Sequence, residues 1–458
     1  MAVAFVLCNM DKVNMSVAVI PMAAELGWSA TERGLVSSSF FWGYSLTQLP
    51  AGYISTKIGG AKVLAAGVAL WSFGTLIAPP AAQMSLVALC ATRVLVGLGE
   101  GFAPSAATAV LAKLVPSTER SRAVATVWGG LDVGSAVGLL LCGPLIAAFG
   151  WPSVFYLFAV LGLVWVAAWP FVQPDKLDPD MIEEQRKKDQ ERAMRQALAQ
   201  AQAMGNAAPY ESVDEMPLSA TYTKLEKSLP PDGKVPWGEF FKSAPVWAVT
   251  VAHFCFNWGY YTLLAWLPSY FELALGLNVE RSSFLTLIPY IAMTCMMPLV
   301  GPVADGWVRS GVPLTRVRKI CQGIAFVGPA ACMIACALLT PAAAATAKAA
   351  VTGVSAAGPV LTAVLVSLMS VAFALGAWSR AGLYCNHQDL SPKYASALLG
   401  ITNTAGALPG VLGVTAAGYL LDTTASWALA LFIPTAICQL FGAAVYSVFA
   451  SSERQSWS

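Results

Sequence analysis

The chain has 458 residues, of which 57% are hydrophobic and 11% are charged, and its mean hydropathy is +0.63. This apolar content exceeds that of soluble domains and indicates a polytopic protein embedded in a lipid bilayer. The formal net charge of +2 is too small to favour a nucleic-acid partner. The ten cysteines lie almost wholly in apolar stretches and the chain has only two histidines, so we predict neither a metal site nor a cofactor.

Twelve apolar stretches of roughly membrane-spanning length follow one another along the chain. They predict an all-α membrane protein with spans near residues 1–24, 32–55, 61–82, 86–113, 121–148, 152–172, 243–272, 283–305, 319–340, 360–386, 394–420 and 427–450. Basic residues are concentrated in the loops after even-numbered spans, which predicts that both termini face the cytosol. The first span begins at Met1 without flanking charges, and we expect an N-terminal segment to be missing from this sequence.

A charged segment interrupts the apolar pattern at residues 175–242 and holds 23 of the 52 Lys, Arg, Asp and Glu side chains. The sequence therefore predicts an N-terminal half at 1–174, a cytosolic linker at 175–242, a C-terminal half at 243–451 and a tail at 452–458. Within the linker, Asp178 and Pro179 predict the start of a helix over 181–204, followed by loop or disorder to residue 236. Two halves of six spans suggest a substrate site between them near mid-membrane.

The predicted fourth span carries two full charges, Arg93 and Glu100. A charge at bilayer depth costs about 3 kcal/mol, so such residues usually face a bundle interior or a watery pathway. Seven positions make two helical turns, which place both side chains on nearly the same face, about 10 Å apart. This pattern favours a transporter. The alternative is an ion pair that only ties helices together.

Six strings spread over nearly the whole chain outside the linker carry a family resemblance. They are CNMDKVNMS at 8–16, SFFWGYSLTQ at 39–48, RVLVGLGEG at 93–101, PSTERSR at 116–122, WPSVFY at 151–156 and NHQDLSPKY at 386–394. In this order they resemble the anion:cation symporter branch of the major facilitator superfamily, which includes vesicular glutamate transporters, sialin and plant plastid phosphate transporters. The strings at 8–16 and 151–156 look more like the plant plastid members than the animal vesicular ones.

The resemblance implies the major facilitator fold, two six-helix halves and secondary transport of an anion. It also implies a multi-pass protein of a plastid membrane, envelope or thylakoid. The strings GYISTK at 52–57 and GPVADG at 301–306 resemble the Gly-x-x-x-Asp turn of the superfamily. The first copy departs from it, since Thr56 stands where the acid is expected.

Lys12 on the first span is the first candidate for binding the substrate. It shares a polar stripe with Asn9 and Ser16, about halfway through the membrane. The resembled family usually has Arg at this position, where it is thought to meet the anion, and Lys would bind phosphate as a point charge. The alternative is a structural pair with neighbouring Asp11.

Glu100 matches the acid that the family uses in proton coupling, with Arg93 as its neighbour on the same face. Burial favours the neutral form of a carboxyl group, whereas a nearby cation favours the charged form. An anion entering beside Lys12 would loosen the hold of that cation on Glu100 and favour its protonation. We therefore assign Glu100 and Arg93 to coupling as a hypothesis.

On the seventh span His253, Asn257 and Tyr260 share one face, and we expect His253 and Asn257 to contact substrate. The sequence departs from the family at Phe256, where animal members carry Arg and plant members often His. The missing cation favours an anion smaller than a dicarboxylate. A buried histidine that is merely hydrogen-bonded is the alternative for His253.

On the tenth span Arg380, Tyr384 and His387 share a face, and Arg380 is charged where the family tends to be uncharged. Asp132 on the fifth span is likewise an unexpected acid. These two residues either form a buried pair across the halves, or Arg380 is a second anion-binding cation. We expect Tyr44, Gln48 and Asn403 to line the cavity, with hydrogen bonds between helices as the alternative for these polar residues. We expect Asn386, His387 and Asp389 to cap and gate its cytosolic mouth.

The function predicted from these residues is coupled transport of inorganic phosphate or a related anion, driven by a sodium or proton gradient. The two halves would rock around Lys12 and Glu100 in a monomeric carrier. An organic anion such as ascorbate or glutamate, moved by the same machinery, is the alternative. A membrane-embedded enzyme is not expected, because the chain lacks His-Glu-x-x-His, Gly-x-Ser-x-Gly and phosphate-loop signatures. A channel would differ by lacking saturation and counterflow.

Overall fold

The computed structural model describes residues 1–114, 120–172, 236–340, 358–391 and 394–455. Helices and short connections make up this described part of the chain, in which no strand occurs. The predicted linker helix at 181–204 and the predicted loop up to residue 235 lie outside the described residues, as does the beginning of the string at 116–122. The linker prediction therefore stays a prediction.

The regular helices are named α1 to α16 in chain order. Their bounds are α1 Ala2–Leu26, α2 Ala30–Ile58, α3 Gly60–Leu76, α4 Ala78–Met84, α5 Leu86–Gly101, α6 Ala103–Leu114, α7 Arg120–Phe149, α8 Pro152–Val172, α9 Trp237–Lys242, α10 Ala244–Leu273, α11 Val279–Arg309, α12 Leu314–Leu339, α13 Pro359–Gly376, α14 Leu383–Leu390, α15 Ala395–Thr424 and α16 Ile433–Phe449. A 3₁₀ turn at Ala377–Arg380 joins α13 to the short connection before α14, and a π turn at Ala428–Phe432 precedes α16.

Nine of the described helices or joined helices are long and apolar enough to cross a membrane, and the bent pair of α3 and α4 makes a tenth. The helices α2 and α10 have 29 and 30 residues, so they are also long enough to span. Both also contact helices beyond residues 173–235, since α2 packs on α15 and α10 packs on α1. With them, the described residues hold helices enough for the twelve predicted spans.

Local signals explain where several helices begin and end. Gly27 ends α1 in the left-handed conformation, with φ 70°. Ser29 and Glu32 then form a capping box at the start of α2. Asn278 accepts a hydrogen bond of 2.9 Å from the backbone N–H of Arg281, so α11 begins at residue 279, four residues before the predicted start.

Glycines let α5 approach α2 closely within the N-terminal half. A Cβ added at Gly97 would overlap the backbone of Phe40 and Tyr44, and one added at Gly43 would overlap the backbone of Val94. The small residues of the fourth span therefore serve close helix packing. This contact brings the charged face of α5 against α2, from where Glu100 reaches the side chains of Lys12 and Cys8 on α1.

The two halves are hydrogen-bonded to each other at the end where α2 begins and α15 ends, predicted to face away from the cytosol. Thr415 on α15 donates to Ser38 on α2 over 2.8 Å, and Ser283 on α11 donates to the carbonyl of Leu139 on α7 over 2.5 Å. The carboxylate of Asp422 accepts bonds from the first residues of α2. These contacts hold the halves together at that end.

Candidate transport site

Lys12 and Glu100 form an ion pair in the middle of the N-terminal half. The Nζ of Lys12 on α1 lies 3.5 Å from Oε2 of Glu100 on α5, and the two side chains are 15% and 0% exposed. The thiol of Cys8, one helical turn before Lys12, donates to the same carboxylate oxygen over 3.2 Å. The other oxygen, Oε1, is buried without a hydrogen-bond partner among the described residues. The carboxylate is therefore only partly neutralised by its surroundings.

Aromatic rings surround the cations of this site. The Nζ of Lys12 lies 5.3 Å from the ring centre of Phe40 and 5.2 Å from that of Tyr44. The guanidinium carbon of Arg93 lies 5.7 Å from the ring centre of Phe40. Both cations gain cation–π stabilisation in a site that excludes most water.

Arg93 is buried, but it forms no ion pair within 4.0 Å and its Nε and Nη1 have no hydrogen-bond partner in the described part of the chain. Arg93 and Glu100 therefore do not form a structural ion pair with each other. Glu100 pairs with Lys12 instead. Unpaired buried N–H groups of a charged side chain are costly, and an anion would satisfy them.

Asp11 does not neutralise Lys12, because its carboxylate turns towards other partners. It accepts a hydrogen bond of 2.7 Å from the amide of Asn14 and another from the hydroxyl of Thr75 on α3. The structural pair between Asp11 and Lys12 that the sequence left open is therefore absent among the described contacts. Asn9, from the predicted polar stripe, donates to Leu131 on α7 and serves helix packing.

A narrow cavity lies beside the pair, towards the end where the halves are bonded. Its lining comes from α1, α2, α5 and α10 and includes Lys12, Ser16, Ser37, Phe40, Arg93 and Tyr261. It leaves about 20 Å³ for the centre of a water-sized sphere, which is enough for about one water molecule. An anion can occupy this space only if the surrounding helices move apart.

On the C-terminal side, Arg380 is exposed and its guanidinium carbon lies 5.0 Å from the ring centre of Tyr384. The hydroxyl of Tyr384 is hydrogen-bonded to Nε2 of His253 over 3.3 Å, while Nδ1 of that buried histidine has no partner among the described residues. The ring of Tyr260 is close enough to interact electrostatically with Lys12 and Arg380. Tyr260 therefore lies between the cations of the two halves, whereas His253 is buried and hydrogen-bonded within the C-terminal half.

The buried pair expected between Asp132 and Arg380 is not formed in this conformation. Asp132 is half-buried and within electrostatic reach of Arg380, but no ion pair within 4.0 Å joins them in the described structure. The physical reason is that Arg380 ends the 3₁₀ turn and stacks on Tyr384, where it remains in contact with water.

Three of the predicted site residues are engaged in packing within the C-terminal half. Asn257 donates to the carbonyl of Gly406 on α15 over 2.8 Å. Asn386 donates to the hydroxyl of Tyr446 over 3.0 Å, and Nε2 of His387 contacts the hydroxyl of Thr402 at 2.8 Å. All three predicted side chains are buried. This conformation therefore does not present them to the space between the halves.

Asp389 forms an ion pair that the sequence analysis did not anticipate. Its carboxylate accepts from Nε and Nη2 of Arg318 on α12, over 2.7 and 3.3 Å. Nη1 of Arg318 also donates to the carbonyl of Ala381 over 2.9 Å. Asn403, in contrast, is half-buried on α15, and its side chain has no hydrogen bond to a neighbouring helix among the described residues. Gln48 donates weakly to the carbonyl of Tyr44, over 3.4 Å within α2.

Cys8 and Tyr261 are site residues that the sequence analysis missed. Cys8 precedes Lys12 by four positions, a spacing that places both on one helix face, so the signal was present in the sequence. Tyr261 lines the cavity and its ring centre lies 4.5 Å from that of Phe41 in the opposite half.

No group of three or more His, Cys, Asp or Glu side chains suited to a metal ion occurs among the described residues.

A bundle of membrane-length helices, a buried and partly satisfied ion pair, and a cavity lined by α1, α2, α5 and α10 are features of a membrane carrier. The sequence profile of the Major Facilitator Superfamily matches residues 1–383, so the chain belongs to this superfamily. The predicted fold class is thereby confirmed.

Plant anion transporters are similar to this chain over nearly its whole length. The chain is 43% identical to probable anion transporter 6, chloroplastic, of Arabidopsis thaliana, over 100% of this chain and 79% of that protein. It is 38% identical to the ascorbate transporter, chloroplastic, of the same plant, over 98% and 73% of the two chains. It is 37% identical to the sodium-dependent phosphate transport protein 1, chloroplastic, of Arabidopsis thaliana, over 98% of this chain and 78% of that protein. The predicted resemblance to plant plastid anion transporters is confirmed.

Solved structures with the same fold include a D-xylose-proton symporter, with a TM-score of 0.67 and 14% identity over 99% of this chain and 98% of that one. The xylose transporter XylE from E. coli in an inward-open conformation has a TM-score of 0.66 and 15% identity, over 98% and 94%. At this identity the likeness establishes the fold alone.

Proposed function

We propose that this protein is a secondary active transporter of inorganic phosphate or a related small anion, coupled to a sodium or proton gradient and working by alternating access between its two halves. The main observation behind this proposal is the buried pair of Lys12 and Glu100, in which Oε1 of Glu100 has no hydrogen-bond partner among the described residues. A fully satisfied pair would favour a structural role. A partly satisfied pair beside a cavity favours a site that exchanges partners.

The pair supplies the proposed coupling. An anion that reaches Lys12 competes with Glu100 for the ammonium group. Once Glu100 has lost its cation in a site closed to most water, its charge must be neutralised by a co-transported proton or sodium ion. Binding of the anion and binding of the cation therefore favour each other, as a symporter requires.

Arg93 supports an anionic substrate. Its buried guanidinium group faces the cavity that Lys12 also lines, and two of its nitrogen atoms have no hydrogen-bond partner among the described residues. Together with Lys12 it supplies two positive charges against the two carboxylates of Glu100 and buried Asp11, which interacts electrostatically with both cations. Neutralisation of Glu100 by a co-transported cation would therefore leave one net positive charge for an anion. The similarity to a phosphate transport protein agrees with this chemistry.

Uptake of labelled phosphate into proteoliposomes tests the proposal. We expect saturable uptake driven by an imposed sodium or proton gradient, and loss of uptake in Lys12→Ala. Lys242→Ala is the matched control, because that lysine is 75% exposed in a surface pair with Glu239. Uptake that does not saturate, or equal uptake by Lys12→Ala and Lys242→Ala, would contradict the proposal.

An organic anion is the second candidate substrate, and Arg380 is the observation that favours it. This exposed cation stacks on Tyr384, and Tyr260 lies nearby. Aromatic faces and a second cation suit a planar anion larger than phosphate. Labelled ascorbate and glutamate in the same vesicles decide between the substrates. Uptake of either one without uptake of phosphate would favour this candidate.

We further propose that the protein works in a plastid membrane, since the similar plant proteins are described as chloroplastic. The division into halves at 1–174 and 243–451, with the linker at 175–242 on the side of the membrane that carries the basic loops, belongs to the same proposal. Fluorescent tagging of the full-length protein and fractionation of plastid envelope and thylakoid test the location. Signal in a non-plastid membrane would contradict it.

A further inference from the structure

The tenth span is broken in the middle of the C-terminal half. The helix α13 ends at Gly376, a 3₁₀ turn covers Ala377–Arg380, and α14 begins at Leu383. A break in a helix leaves backbone N–H and C=O groups without partners in their own helix. Such groups are tolerated at membrane depth only where the surrounding protein or water satisfies them.

Side chains from α12 and α16 satisfy the backbone of this break. The backbone N–H of Leu383 donates to Oε1 of Gln322 over 3.0 Å. The carbonyl of Ala381 accepts from Arg318 over 2.9 Å, and the carbonyl of Gly382 accepts from the hydroxyl of Tyr446 over 3.3 Å. The broken turn is thus held from two neighbouring helices.

Gln322 is the central support of the break. It is fully buried, and its Oε1 accepts a second hydrogen bond, from the hydroxyl of Ser379 over 3.0 Å. Its Nε2 has no hydrogen-bond partner among the described residues, so Gln322 supports the break through its acceptor oxygen. A Cβ added at Gly382 would lie 2.8 Å from this oxygen, so the backbone of the break packs directly against Gln322.

Arg380 lies between the two points that Gln322 fixes, Ser379 on one side and the N–H of Leu383 on the other. The support therefore determines where the exposed guanidinium group stands over the ring of Tyr384. Resting on the proposed transport function, and within it on Arg380 as an anion-binding cation, we infer that Gln322 is a positioning residue for anion recognition. It sets the location of the Arg380 charge and thereby the affinity for the transported anion.

The test compares variants at residue 322 by the KM and kcat of uptake of labelled phosphate and of labelled ascorbate into proteoliposomes. Gln322→Met removes the acceptor at similar size, and we expect KM to rise on the order of tenfold while kcat changes less than about twofold. Gln322→Glu keeps an acceptor oxygen and should restore most of the affinity. Ser379→Ala removes one of the two bonds and should raise KM about twofold to threefold, which covers the case that Gln322→Met does not fold.

Gln439→Met is the matched control. This glutamine is also buried in the C-terminal half, but its Oε1 has no hydrogen-bond partner in the described part of the chain. We expect its KM to remain that of the unaltered protein. An equal rise in KM for Gln439→Met would show a general packing effect and overturn the inference.

The double variant with Arg380→Gln separates positioning from a structural role. If Gln322 acts through Arg380, Gln322→Met should add little to the KM of Arg380→Gln. Additive effects, a fall in kcat at constant KM, or an unchanged KM in both Gln322→Met and Ser379→Ala would overturn the inference alone. An absence of saturable anion uptake by the unaltered protein would contradict the proposed function and the inference together.

Discussion

Asp422 offers a direct test of how the halves are held together. Its exposed carboxylate at the end of α15 accepts from the N–H of Ala30 over 2.9 Å, from the N–H of Thr31 over 2.6 Å, and from the hydroxyl of Thr31 over 2.5 Å. An acid in one half thus caps the first turn of α2 in the other half. A carboxylate at a helix N-terminus is stabilised by free N–H groups and by the helix dipole.

The expected size of the effect follows from these bonds. A cap of this kind is worth about 1–2 kcal/mol at an exposed site. Asp422→Ala should therefore shift the equilibrium towards the form that is open at this end by about 5-fold to 30-fold. Asp422→Asn keeps one acceptor oxygen and should give a smaller shift.

Thiol labelling measures this shift in purified protein. Ser37 lines the narrow cavity below the capped end. In a Ser37→Cys background, the labelling rate at position 37, followed by peptide mass spectrometry, should rise with Asp422→Ala in proportion to the open population. Glu453→Ala, which removes an exposed acid from the C-terminal tail, is the control and should leave the rate unchanged. An equal rate in Asp422→Ala and Glu453→Ala would refute the reasoning.

Two further predictions concern stability, measured as the melting temperature in detergent. Gly97→Ala should lower it, since the added Cβ overlaps α2 and overpacking costs about 1–3 kcal/mol, whereas Gly129→Ala meets open space and should raise it slightly. Arg318→Ala should cost about 2–3 kcal/mol, because its pair with Asp389 is only 12% and 14% exposed, whereas Lys242→Ala should change little. Equal melting temperatures for Gly97→Ala and Gly129→Ala would contradict the close packing at Gly97. Equal melting temperatures for Arg318→Ala and Lys242→Ala would contradict the stabilising role of the Arg318–Asp389 pair.

Much of the fold could be predicted from the sequence because span length and apolar content are local properties. The predicted span at 152–172 coincides with α8, and that at 86–113 coincides with α5 and α6 within one residue. The break inside the tenth span could not be predicted in this way. It depends on support from Gln322, Arg318 and Tyr446, which lie on other helices.

The charged residues of the candidate site were visible in the sequence, but their partners were not. Spacing along α1 and along α5 restricts Lys12 and Glu100 to certain helix faces. Only the tertiary placement of the two helices decides that Glu100 pairs with Lys12 and not with Arg93. The distance between Asp132 and Arg380 is a property of one conformation of the two halves. A sequence specifies several such conformations, so this contact could not be fixed from composition or spacing.

The measurement that tests the central claim most directly compares anion exchange with gradient-driven uptake in Glu100→Gln. Glutamine cannot carry the charge that Lys12 holds, so the account predicts that this variant still exchanges labelled anion across the membrane but no longer responds to a sodium or proton gradient. Glu239→Gln, at the 54% exposed partner of Lys242, should retain both activities. Gradient-driven uptake by Glu100→Gln at the rate of the unaltered protein would contradict the account.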